Sequence, residues 1–321
     1  MLTTFLRRSG LMADDDRPIA TPLTGGVSSD IWRIDFRAGP ICVKRALLKL
    51  RVDADWYAPI ERNAFEVAWI ETANSVQPGI APKILAHDPV QGLFAMAFLD
   101  PSNHPTWKDC LRAGDADAAS AKSVGASLRR IHDATRGSPE IAHKFKTDET
   151  FWAIRLEPYL IAAGRAHPDI APQLESLAQS TADTKEALVH GDVSPKNILV
   201  SDTGPIFIDA ECAWYGDPAF DLAFCLNHLL LKCLWTPAAQ AGYLNCFDAM
   251  CDGYAPDTAT EARTATLLPA LFLARVDGKS PVEYITTDAA RDQVRRAAIP
   301  LIRRPERKLA AIRDAWKKEL A

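Results

Sequence analysis

The sequence predicts an α+β chain in two lobes: a small antiparallel sheet with one helix up to residue 99, and a larger, mainly helical lobe over residues 100–321. Three observations carry this. Short segments of the first hundred residues alternate apolar and polar side chains with the period of a strand, whereas segments with a helical period dominate beyond residue 116. Between them, two apolar strands near residues 188–189 and 206–208 each deliver an Asp at their end, with an Asn on the turn that joins them.

Taken in chain order, Thr24 to Asp30 reads as a turn leading into the strand Ile31 to Phe36. Gly25 and Gly26 leave backbone N–H groups open to a phosphate, and Ser28 and Ser29 supply hydroxyl donors. A Gly-Gly turn alone is ordinarily just a hairpin turn. No GxxxxGK[ST] string occurs, which excludes a Walker-type loop. Pro40 to Arg45 is a short strand carrying Lys44 near its end. A helix follows over residues 59–70, with Ile60, Ala64, Phe65, Ala68 and Trp69 as its inward stripe and Glu66 on its flank. The apolar run Leu93 to Leu99 is a strand stopped by Asp100-Pro101-Ser102. Beyond it, helices are predicted over residues 116–134, 148–163, 171–186, 219–233, 237–252, 259–275 and 288–319.

The densest chemistry lies in Leu188 to Val200, which contains His190-Gly191-Asp192-Val193-Ser194-Pro195-Lys196-Asn197, followed by Ile206-Phe207-Ile208-Asp209. Phosphoryl transfer needs positioned reactants and neutralised charge more than covalent chemistry. Asp192 is spaced to orient an attacking hydroxyl, and Asn197 and Asp209 are hard oxygen donors suited to Mg²⁺. As plain turn residues, the same Asp and Asn would merely cap the connection between two strands.

HGDVSPKN, then IDAE, then Gly216-Asp217-Pro218-Ala219-Phe220-Asp221-Leu222-Ala223 closely resembles the aminoglycoside phosphotransferase and choline kinase family, a small-molecule branch of the protein-kinase-like fold. The likeness extends more weakly from about residue 20 to 235. It implies a bilobal kinase-like fold, with Asp192 as catalytic base, Asn197 and Asp209 as metal ligands, and Asp221 bracing the catalytic loop alongside His190 and Asp217. It also implies that Lys44 meets the nucleotide phosphates, oriented by Glu66 with Glu61 as the competing partner. The hinge backbone near Ala97 and Leu99 would meet the base of ATP, GTP not being excluded. His132, near the end of a long helix, is expected to be structural.

Ser194 stands where protein kinases carry a Lys, and Ala210 follows the metal Asp in place of a Gly. Both point away from a protein Ser/Thr kinase, which stays an alternative together with a nucleotide-binding scaffold. Lys196 receives no role. Residues expected to face the acceptor are Arg155, Glu157, Tyr159, Trp214 and His228. The acceptor itself is a small hydroxyl compound of sugar, amino alcohol, amino acid or aminoglycoside type, and the cations of the C-terminal region rank polycationic antibiotics lower.

Composition narrows the classes further. With 48% hydrophobic residues the chain can bury a substantial core. Its most apolar stretch, residues 219–235, contains Asp221, Asn227, His228 and Lys232 and so reads as a buried helix rather than a membrane span. The formal net charge of −4 and the lack of a basic stripe argue against nucleic acid as partner. Seven Cys with no CxxC pair suit reduced thiols. With no signal-peptide pattern, the expectation is a cytoplasmic protein. Residues 303–319 are basic and read as the solvated face of a terminal helix.

Overall fold

The computed structural model describes residues 1–13, 15–23, 28–49, 51 and 59–321. A seven-residue helix, α1 (Leu2–Arg8), opens the chain and sets Phe5 and Leu6 against the sheet. That sheet has five antiparallel strands in the order β1-β2-β3-β5-β4, namely β1 (Ile19–Leu23), β2 (Ser29–Phe36), β3 (Gly39–Ala46), β4 (Ile84–Asp88) and β5 (Leu93–Ala97). β1 is exposed along its length and contains Pro22, which suits an edge strand because proline donates no ladder hydrogen bond. Ile34, Val43, Leu93 and Ala95 form a small core with α1 and Met12.

Helix α2 (Arg62–Val76) buries Arg62, Asn63, Glu66, Val67, Trp69, Ile70 and Ala73. This corrects the expected stripe: Ala64, Phe65 and Ala68 are only half-buried, and Glu66 lies on the inward face. The apolar part of that face joins the large core of the second lobe through Val67, Trp69, Ile70 and Ala73. The Phe207 N–H donates to the Ile80 carbonyl at 2.8 Å, tying the segment after α2 to the strand that ends at Phe207. The lobes therefore share one core across the junction predicted at residue 99.

The second lobe begins with α3 (Trp107–Arg112), capped by the Thr106 hydroxyl, and α4 (Ala118–Thr135), capped by Asp117. After α5 (Pro139–Lys144) and α6 (Asp148–Phe151) the chain winds as a π-helix over Trp152–Ile161 before resuming as α7 (Ala162–Ala166) and α8 (Ala171–Asp183). Two short antiparallel pairs follow: β6 (Ala187–Val189) with β9 (Trp214–Gly216), and β7 (Ile198–Ser201) with β8 (Gly204–Phe207). The remaining helices are α9 (Pro218–Trp235), α10 (Gln240–Tyr254), α11 (Thr258–Asp277), α12 (Asp288–Arg303) and α13 (Leu309–Leu320). The single helix predicted over 288–319 is thus two. Pro305 lacks an N–H and disfavours helical backbone at Arg304, which breaks the run.

α4 and α10 touch backbone to backbone. A Cβ on Gly125 would collide with the Met250 carbonyl, and one on Gly253 would collide with the Lys122 carbonyl. Among the described residues no helix is long and apolar enough to cross a membrane.

Candidate active site

β6 ends at Val189 and passes directly into the loop that carries Asp192. Gly191 takes φ +78°, and a Cβ there would crowd Cys212, so the turn requires glycine. The His190 and Gly191 N–H groups donate to the two Asp221 carboxylate oxygens at 2.7 and 2.8 Å. Asp221 also contacts the His132 ring at 3.2 Å, and the other ring nitrogen of His132 meets the Tyr254 hydroxyl at 2.9 Å. All three side chains are buried. A charge fixed by two backbone donors and a ring holds the loop more firmly than neutral bonds do. Asp217 caps the same helix, α9, through the Ala219 N–H at 3.0 Å, and its carboxylate pairs with Arg263 at 2.9 Å.

Asp192 is 5% exposed and bracketed by cations: Arg155 Nη2 at 3.1 Å and Lys196 Nζ at 3.3 Å. Arg155 comes from the π-helical segment, and its Nε donates to the Gly191 carbonyl. Lys196 is more than half exposed, and the neighbouring Asp192 charge raises its pKa. The Asn197 amide donates to the Asp192 carbonyl at 3.0 Å, so its own oxygen remains free to accept. His190 is pushed toward the neutral imidazole by burial and stands edge-on to Trp69 at 4.7 Å.

Asp209 has φ +66°, one of two non-glycine residues with positive φ among those described. Asp tolerates this region better than most residues, though at some cost in strain. Burial alone would raise its pKa, but Lys44 and Lys196 outweigh that and hold the carboxyl well below its usual range. Lys44 bridges the two sides of the site. Its ammonium lies 2.8 Å from both Glu66 oxygens and also bonds Asp209. Burial opposes its charge, and the two carboxylates more than restore it. Glu61 immediately precedes α2 and is exposed, so Glu66 is the partner.

The fit of a metal can be judged from the donors. Asn197 and Asp209 present hard oxygens, and no cluster of three or more metal-ligating side chains exists among the described residues. Two protein oxygens suit Mg²⁺, which keeps waters and takes nucleotide phosphates as its other ligands.

Gly25 and Gly26 lie outside the described residues. Ser28 and Ser29 flank them, both buried, and the Ser29 hydroxyl has no partner among the described residues. Ala97 ends β5 with its N–H on the Lys83 carbonyl at 2.9 Å, and Leu99 lies two residues beyond. Of the expected acceptor residues, Arg155, Tyr159 and His228 gather on one side of Asp192. The Arg155 guanidinium lies 5.9 Å from the Tyr159 ring and 5.7 Å from Phe224, against which His228 packs edge-on. Glu157 and Trp214 do not join them. Glu157 pairs with Arg165 and Lys279, while Trp214 stacks on Phe151 and donates to Asp148 at 3.0 Å.

Two contributors were not singled out from the sequence. Arg62 bonds Glu211 at 3.0 Å, the Ser28 carbonyl at 2.6 Å and the Leu47 carbonyl at 2.7 Å, linking the start of β2 and the end of β3 to the segment between β8 and β9 through one guanidinium. Tyr254 completes the brace behind Asp221. Arg62 stands four residues before Glu66, on the same helix face, a spacing that marks both as inward.

The family model described as "Phosphotransferase enzyme family" matches residues 19–256. The chain belongs to the phosphotransferase enzyme family. A methylthioribose kinase of Yersinia pseudotuberculosis serotype O:1b is 26% identical over 260 residues, covering 71% of this chain and 63% of that protein. One of Erwinia tasmaniensis is 28% identical over 233 residues, covering 63% and 57%. The chain thus spans under two thirds of the length of these curated relatives. In fold it is similar to amicoumacin kinase hAmiN bound to AMP-PNP, Ca²⁺ and Ami, with a TM-score of 0.57 at 15% identity over 96% and 95% of the two chains. A choline/ethanolamine kinase family protein from Mesorhizobium loti gives 0.54 at 18% over 98% and 100%.

Proposed function

We propose that this phosphotransferase moves the γ-phosphate of ATP to a hydroxyl group of a small molecule, with Asp192 as the base. The observation that carries the reading is the convergence of Asp192, Asn197 and Asp209 from one strand-loop-strand unit with the Lys44–Glu66 pair from the other lobe. Asp192 accepts the proton of the attacking hydroxyl, or aligns it, as the bond to phosphorus forms. Arg155 and Lys196 fix that carboxylate from two sides. Lys44, oriented by Glu66, offers its ammonium to the phosphates beside Asp209, and Ser28 and Ser29 offer hydroxyls at the mouth of the strand turn. Asn197 and Asp209 would hold Mg²⁺, which neutralises phosphate charge when bound. Ala97 and Leu99 supply backbone groups to the nucleotide base.

The acceptor is a small hydroxyl compound, as the names of the relatives suggest. The test is Mg·ATP-dependent ADP release across a hydroxyl-metabolite library, run beside Asp192→Asn and with thermal shift on Mg·AMP-PNP. Release that depends on an acceptor and on Asp192, with nucleotide binding retained in the variant, supports the reading. Equal release by the variant, or no nucleotide shift, rejects it.

A further inference from the structure

One face of α9 runs outward from the catalytic loop, carrying Phe224, His228 and Lys232 at successive four-residue steps. Phe224 lies under Arg155, and His228 packs on Phe224 in the field of Arg275, Lys232, Lys196 and Lys108. At the far end Lys232 is 1% exposed, yet among the described residues its ammonium makes no hydrogen bond and no ion pair. Its ammonium lies over two rings, Trp235 at 4.4 Å and Tyr284 at 5.1 Å, which stack on each other at 4.5 Å.

More positive charge crowds the same place. Lys108 and Arg112 approach the Trp235 ring at 5.9 and 5.8 Å. Of the nearby carboxylates, Glu283 is already paired with Lys108, and Asp109 accepts from the Thr106 hydroxyl at 2.6 Å. Arg275 reaches the Tyr159 hydroxyl at 3.1 Å but leaves its Nε buried without a partner, and the Tyr284 hydroxyl is equally unmatched. The Lys232 ammonium, the Arg275 Nε–H and the Tyr284 hydroxyl each have a proton to donate and no acceptor for it among the described residues. Ring faces offset only part of the penalty of burying such groups.

We propose that the acceptor carries an anionic group, a carboxylate or a phosphate, which seats between Lys232, Arg275 and Tyr284, about 12 Å along α9 from Phe224. The inference rests on the kinase reading and names the class of its acceptor. The reacting hydroxyl stands at Asp192 while the distant oxyanion accepts from the three unmatched donors. A cationic acceptor would meet the like charge of Lys108, Arg112 and Arg275 there, and a neutral one would leave Lys232 without a counter-charge whenever it is protonated.

The test is a thermal-shift titration of the full chain with sodium phosphate, sodium acetate and choline chloride at constant ionic strength, without nucleotide. It is repeated on Lys232→Met, Arg275→Met and Tyr284→Phe, the last keeping the ring and removing only the hydroxyl. Expected is saturable stabilisation by an anion, at least tenfold weaker in Lys232→Met and measurably weaker in Tyr284→Phe. The stronger of phosphate and acetate assigns the chemistry. No anion response, an equal response in Lys232→Met, or a larger response to choline overturns the proposal. A separate titration with Mg·AMP-PNP keeps the two readings apart, since its failure would sink the kinase reading while the anion arm still returns its own answer.

Discussion

The Arg155 guanidinium lies 3.1 Å from the Asp192 carboxylate, and both side chains are buried. The proposed base is therefore aimed from the π-helical segment as well as from its own loop. Arg155→Met is expected to lower kcat by about 10²-fold, the loss typical of a misplaced reacting group. Arg155→Lys should recover part of that, because it restores charge but not the bond from Nε to the Gly191 carbonyl. Steady-state kinetics on the three proteins, beside an unchanged Mg·AMP-PNP thermal shift, is the check.

Asp192→Asn keeps the size of the side chain while removing its charge and basicity. Turnover should fall by about 10²- to 10⁴-fold, the usual contribution of a positioned base. The KM for ATP should stay within a few-fold, since the proposed role of Asp192 is toward the acceptor rather than the nucleotide.

Lys44→Met leaves the buried Glu66 carboxylate and the partly exposed Asp209 carboxylate without their shared cation. Breaking a buried pair in this way costs about 3–5 kcal/mol. A drop in urea midpoint with an unaltered m-value is expected, together with loss of the Mg·AMP-PNP shift. Lys44→Met combined with Glu66→Gln should regain part of the stability but none of the nucleotide response.

Burial lowers the Lys232 pKa to about 7 from an ordinary 10.5. Between those values the unfolded chain holds the proton and the folded chain does not, so this group makes stability rise with pH from about 7 to 10.5. Lys232→Met should therefore be more stable than the natural chain by more than about 1 kcal/mol below pH 7. The difference should shrink as the pH approaches 10. Melting curves at pH 6, 8 and 10 decide it, and a destabilised variant would make Lys232 a packing residue.

The unit around Asp192 was legible because its residues sit at offsets that the backbone imposes: a strand, a glycine turn, an Asn five positions on, then a second strand. Asp117, Asp217 and Asp257 cap α4, α9 and α11 in the structure, a local signal that the reading by periodicity did not use. Other features leave a weaker trace. The π-winding through Arg155 has no distinct composition, and a helical period of apolar residues survives it. The inward face of α2 escapes hydrophobic patterning because Arg62, Asn63 and Glu66 are polar: Arg62 and Glu66 are buried by pairing, and Asn63 is buried with no side-chain partner among the described residues. α1 is too short, at seven residues, for periodicity to speak clearly. Trp214 and Glu157 were drawn toward the acceptor by residue type alone, and only tertiary packing shows their other partners.

The reciprocal glycines of α4 and α10 give the site a hidden dependence. Gly125 and Gly253 let those helices meet closely enough for His132 on one to reach Tyr254 on the other, and that pair stands directly behind Asp221. An alanine at either position would push the helices apart and relax the backing of the catalytic loop. In a screen for lost activity, such a variant would be scored as a catalytic defect, although the altered glycine lies behind the loop and not among the proposed site residues.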